Sequence, residues 1–98
     1  MEITSVNNDL VKETAKLQQK KYRNQSGKFL LEGYKTIREA FDCGIQLDRV
    51  FVDKKYLSEY SFVGDVIETT DAVLKKLSTT DSAPEAVAVG AQKALEVI

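Results

Sequence analysis

The sequence predicts an α/β domain on a small, largely parallel sheet that is covered on both faces. Three observations support this. Four apolar runs, Lys28–Glu32, Leu47–Asp53, Val66–Thr69 and Glu85–Gln92, alternate with segments of helical periodicity. These runs hold apolar residues in succession rather than in alternation, which suits strands buried from both sides. Finally, 98 residues with 43% hydrophobic and 30% charged side chains are enough for one modest core, and therefore one domain. The last helix-to-strand connection, 78–84, is short for a crossover that keeps every strand parallel. It leaves room for a mixed sheet or an antiparallel edge.

The elements follow in order. Asn7 or Asn8 can cap a helix running to Lys21, with Asp9 favourably placed in its first turn. At about 100° per residue, Leu10, Val11, Thr14, Ala15 and Leu17 share one side. Lys12, Lys16 and Lys20 share the other as a stripe, and Arg23 joins them if the helix continues. Like charges at that spacing oppose the helix by roughly a few tenths of a kcal/mol per pair, a cost that mixed signs would avoid. Asn24–Gly27 has the composition of a turn. Lys28–Glu32 follows as a strand. Gly33 lets the chain turn into a helix from Tyr34 to Cys43, with Tyr34, Ile37, Ala40 and Phe41 on its apolar side and Gly44 as its stop. Cys43 reads as a small core residue. After the second strand, a short helix is expected around Lys55–Tyr60. After the third, Thr70 or Asp71 caps a helix to Leu77 that turns Val73, Leu74 and Leu77 inward. Glu32–Tyr34 and Ser78–Pro84 are the two candidate binding loops, because ligands of open α/β sheets sit beyond strand ends.

Charge is unevenly distributed. Residues 1–38 carry eight Lys and Arg against four acids, a surplus of +4. Residues 39–98 carry six against eleven, a deficit of −5 that restores the overall −1. Such a chain can meet a polyanion with one face while staying acidic overall; equally, both halves can be plain solvated surface. Tyr22 and Tyr34 are candidates for stacking on an unpaired base, or for covering the core with their hydroxyls in water.

Several chemistries are excluded. The chain has no histidine and a single cysteine, so Ser-His-Asp and Cys-His catalysis, disulfides and Cys/His metal clusters are all absent. No Gly-rich phosphate loop occurs. No apolar run approaches the length of a membrane helix, and the N-terminus lacks the order of a signal peptide, so a cytoplasmic protein is the default expectation. Recognition rather than catalysis is what these residues offer.

The runs at 5–12 (SVNNDLVK), 17–23 (LQQKKYR), 27–40 (GKFLLEGYKTIREA) and 74–89 (LKKLSTTDSAPEAVAV) resemble the N-terminal substrate-binding domain of the SpoU/TrmH-type RNA 2′-O-methyltransferases. The resemblance implies a three-layer α/β/α fold with a small mixed, mostly parallel sheet, as in a group of ribosomal proteins and kink-turn RNA binders. It implies that Asn7, Lys12, Lys20, Lys21, Arg23, Glu32, Gly33 and Lys35 belong to an RNA-binding surface, to which the charge stripe adds Lys16. Within that set, Gly33 makes the turn, Glu32 fixes the loop and the others touch RNA. The implied partner is ribosomal or transfer RNA. S-adenosylmethionine is expected not here but in a separate C-terminal knotted domain, through which the parent would dimerise, leaving the isolated domain monomeric. Residues 1–93 would then be the binding domain and 94–98 the start of a linker. The family pattern Pro-Gln-Gly before the last strand is Pro84-Glu85-Ala86 here, which puts an RNA contact at that loop in doubt. The readings set against this one are a protein-interaction or RNA-binding module of the same fold without a catalytic partner, and a small metabolic enzyme, for which no catalytic group is present.

Overall fold

The structure is a computed structural model and describes residues 1–91. The linker proposed for 94–98, and Gln92 at the end of the fourth apolar run, lie outside the described residues. Four α-helices, α1 (Asp9–Ala15), α2 (Lys20–Ser26), α3 (Tyr34–Asp42) and α4 (Asp71–Leu77), accompany four strands. The strands are β1 (Lys28–Glu32), β2 (Gln46–Asp53), β3 (Ile67–Thr69) and β4 (Ala86–Ala91). Two 3₁₀ segments, Lys16–Gln18 and Lys54–Val63, complete the set; the second bends at Tyr60 and replaces the helix expected there.

The first helix departs from expectation. Asn8 does cap it, accepting the Leu10 N–H at 2.8 Å. The helix then tightens into the 3₁₀ turn and stops at Gln19, which is extended at φ −99° and ψ 130°, and α2 starts afresh. Arg23 explains the break. Its Nη1 donates to the carbonyls of Leu17 (3.0 Å) and Gln18 (2.9 Å), which a continuous helix would have given to backbone N–H groups four residues on. The stripe Lys12, Lys16, Lys20 is therefore spread over three elements and is not continuous. Of the expected turn Asn24–Gly27, residues 24–26 are in fact the last turn of α2, and Gly27 caps it in the left-handed region (φ 70°).

The sheet order is β1-β4-β2-β3, with β4 antiparallel to β1 and β2, and β2 parallel to β3. The sheet is mixed, as expected, and three of its four strands run one way. The reversed strand, however, sits in the middle rather than at an edge, so two of the three pairings are antiparallel and the sheet is not mostly parallel in its pairing. α4 dictates this: it starts just past the end of β3 and leaves the chain at Ser78, whose hydroxyl meets Glu32 at the end of β1. β4 therefore starts from that same end of the sheet and runs back. Its central position buries Ala86 to Gly90 completely or nearly so. β1 lies at the edge and is half-buried along its whole length, not covered on both faces.

Two cores flank the sheet. On one face α1 and α4 bring Val11, Val73, Leu74 and Leu77 against Phe51 and Val87. On the other, α3 and the 3₁₀ segment bring Ile37 and Tyr60 against Val50, Val52, Ala86 and Ala88. Gly90 is the small residue that admits the Phe29 ring from the neighbouring strand. Cys43 is exposed, because α3 presents Ile37 and Ala40 to the sheet and its C-terminal end stands clear of it.

Candidate nucleic-acid interface

One corner gathers much of what the sequence singled out. It lies at the end of the sheet where β1 finishes and β4 begins. Gly33 stands there at φ 85° and ψ 157°, a conformation open to glycine alone, and turns the chain from β1 into α3. Its N–H donates to the Ala86 carbonyl at 3.0 Å. The next N–H, of Tyr34, donates to Glu85 Oε1 at 2.8 Å, so a side chain from the far side of the loop caps α3. The same carboxylate oxygen accepts the Tyr60 hydroxyl at 3.3 Å. Burial, with Glu85 and Glu59 nearby, pushes the Tyr60 phenol above its ordinary value.

Glu32 ties the loop to the sheet. Its carboxylate accepts the hydroxyls of Ser78 (2.6 Å) and Thr79 (2.7 Å) and the Thr79 N–H (3.3 Å). Burial opposes its ionisation, but these hydrogen bonds outweigh burial and hold the carboxyl below the ordinary carboxylate range. Gln18 closes the corner from the other side: its Nε2 donates to the Lys76 (2.7 Å) and Ser78 (3.3 Å) carbonyls.

The predicted site residues divide into two groups. Arg23, Glu32 and Gly33 are half-buried, and the two charged side chains spend hydrogen bonds inside the chain. Lys12, Lys16, Lys20, Lys21 and Lys35 are exposed, and none pairs with a carboxylate among the described residues. Lys20 opens α2 beside the corner, and Lys35 follows Tyr34 in the first turn of α3. Asn7 and Lys12 are not hydrogen-bonded to the corner; the Asn7 N–H donates to Ser5 Oγ instead. By contrast, Lys28 and Arg49 are neutralised. Lys28 holds Asp48 at 2.8 Å, and that bond lowers the Asp48 pKa; Arg49 faces Glu13 at 3.5 Å and Thr14 at 3.2 Å.

The two candidate loops, 32–34 and 78–84, meet here through the Ser78 and Thr79 bonds to Glu32. Gln18 was not predicted as part of this corner, and Glu85 was singled out only as a departure from the family pattern. The one available signal was Glu85, a carboxylate directly before an apolar strand. Its partner lies 51 residues away, a pairing that no local pattern reveals.

A profile of the MRM3-like substrate binding domain matches residues 8–88. Among solved structures, an RNA 2′-O ribose methyltransferase is 31% identical with a TM-score of 0.85, the match covering 100% of this chain and 40% of that one. An rRNA methyltransferase from Sinorhizobium meliloti is 26% identical with a TM-score of 0.80, over 95% of this chain and 37% of that one. The SpoU methyltransferase AviRb from Streptomyces viridochromogenes, at 20% identity and a TM-score of 0.73 over 93% of this chain and 38% of that one, shares the fold. The chain thus spans at most 40% of the length of these structures. No curated protein matches at a significant level.

Proposed function

The chain belongs to the MRM3-like substrate binding domain family, and on that premise we propose that it is the RNA-recognition domain of a ribose 2′-O-methyltransferase that acts on ribosomal or transfer RNA. The observation that carries the proposal is the set of five exposed lysines without carboxylate partners among the described residues, Lys35 in the first turn after Gly33 and Lys12, Lys16, Lys20 and Lys21 along α1, the 3₁₀ turn and α2, in a domain of this family. Each supplies a salt-sensitive phosphate contact. Arg23 and Glu32 shape the surface rather than touch the ligand. The Glu85 carboxylate already closes the N-terminus of α3, so the corner does not fit the carboxylate of a methyl donor. In this reading S-adenosylmethionine and the transfer step belong to the rest of the longer protein.

The test is RNA binding by the whole chain, followed by fluorescence anisotropy on a structured RNA. Affinity falls linearly with salt on logarithmic axes. Reversing Lys12, Lys20 and Lys35 to Glu together removes the binding and flattens the salt dependence; unchanged affinity in that variant refutes the proposal.

A specific observation also favours a second reading, a protein-docking module. Tyr34 and Phe41, 38% and 41% exposed, meet Phe62 edge-to-face at 5.9 and 5.1 Å, with Arg38 lying over the Phe62 ring at 4.5 Å. Capture of a protein partner by a route indifferent to the lysine reversals and sensitive to Phe41→Ser decides for that reading.

A further inference from the structure

We infer that the groove beside Tyr22 seats a single unpaired nucleotide of the RNA, an inference that rests on the RNA-binding reading above. Tyr22 is half-buried, belongs to neither core, and sits on a helix without a fully buried residue, so part of its ring is open to a ligand. Its ring forms one side of a groove of about 290 Å³, with Leu17 among the lining residues. That is at the small end of ligand sites and suits one planar group rather than a large ligand.

The charges around the groove set the orientation. Lys16 and Lys21 hold their ammonium groups 5.5 and 5.7 Å from the centre of the Tyr22 ring, and neither has a carboxylate partner among the described residues. Lys16 lines the groove and Lys21 lies outside its lining; Lys28, Arg49 and Glu13 line it too, but Asp48 pairs with Lys28 and Glu13 with Arg49. A phosphate is therefore drawn to Lys16 and Lys21, and the base lies on the tyrosine ring. Both ammonium groups lie over the ring, so an arriving base displaces a flexible lysine from the face it takes, and that lysine turns to the phosphate. Stacking on an aromatic face is a sequence-tolerant way to hold a base. Gln25, exposed and without a hydrogen-bond partner among the described residues, offers an amide donor and acceptor to the base edge. A base inside a duplex has both faces covered by its neighbours and cannot use such a seat.

The whole chain is titrated by anisotropy against a labelled RNA hairpin with an unpaired loop and against a blunt RNA duplex of equal length. Tyr22→Leu weakens hairpin binding by about tenfold and leaves duplex binding unchanged. Tyr22→Phe, which keeps the ring, recovers most of that loss. Gln25→Ala, on an exposed helix face, lowers hairpin affinity alone, so the test stays readable should Tyr22→Leu loosen α2. A 4-thiouridine in the loop crosslinks to the peptide containing Tyr22. The inference is overturned if Tyr22→Leu leaves hairpin affinity intact or lowers hairpin and duplex equally. It is also overturned if a free mononucleotide competes as well as the hairpin, which would make the groove a small-molecule seat. If the unaltered chain binds neither RNA, the RNA-binding reading itself fails and the nucleotide seat with it.

Discussion

Gly33 carries the sharpest conformational demand in the candidate interface. A Cβ there would meet nothing within 4 Å, yet φ 85° with ψ 157° is closed to side-chain-bearing residues. Gly33→Ala is therefore a pure backbone strain and should cost about 1–3 kcal/mol of stability, read by urea or thermal unfolding. A loss below about 0.5 kcal/mol would show that the turn relaxes freely. Glu32 makes a second, pH-dependent demand. Its carboxyl is held below its ordinary value in the folded chain, so its bonds to Ser78 and Thr79 stabilise fully above that value. The contribution is lost as pH falls through the lowered folded value, that is, below the usual glutamate range near about 4.3. The Thr79 amide resonance should shift over that acidic window. Glu32→Gln should abolish the shift and cost on the order of 1 kcal/mol; a Thr79 shift that persists in the variant would assign the titration to another group.

Element boundaries depend on contacts that local pattern does not contain. The lysine periodicity describes one helix from Asn8 to Lys21, and the chain makes two, because Arg23 claims the carbonyls that would continue the first. α2 pays for this with a weak start: Gln19 takes the Tyr22 and Arg23 N–H groups on its backbone carbonyl, but its side chain makes no cap. Gln19→Ser should supply that cap and raise stability by about 0.5–1 kcal/mol, a rise of a few degrees in melting temperature for a domain of this size. An unchanged melting temperature would mean that the break is held by Arg23 alone. The other helix starts were legible: Asn8 and Thr70 cap α1 and α4 with the side chains their types suggest. The start of α3 was legible only in its glycine, since its cap comes from Glu85 across the loop.

At the scale of the whole molecule, β2 and β4 serve both cores. Phe51 and Val87 face α1 and α4, while Val50, Val52, Ala86 and Ala88 face α3 and Tyr60. Neither layer can come away without exposing strands the other needs. Phe51→Ala and Ile37→Ala should therefore lower one shared unfolding transition, by about 3–5 and 2–5 kcal/mol, as followed by both circular dichroism and tyrosine fluorescence. Two separable transitions would show that the layers unfold independently. Two ion pairs join the halves, Lys28 with Asp48 and Arg49 with Glu13; they act in opposite senses, so the charge imbalance between the halves stands. The lysine set from which the RNA reading starts takes part in neither pair.

The sequence by itself determined the alternation of strands and helices, the glycine turn at 33, most of the inward-facing residues and the family likeness. These are properties of neighbouring residues: periodicity, capping chemistry and conformational freedom act within a few positions. Only the tertiary structure decided that β4 runs between β1 and β2, because strand order and direction depend on where α4 leaves the chain relative to the sheet. It alone decided that Arg23 breaks a helix, that Glu32 and Glu85 face inward as clamps, and that Cys43 is exposed. A charged side chain reads the same in sequence whether it faces solvent or a carbonyl that the fold brings to it. The division of the predicted surface into inner clamps and outer lysines follows from that.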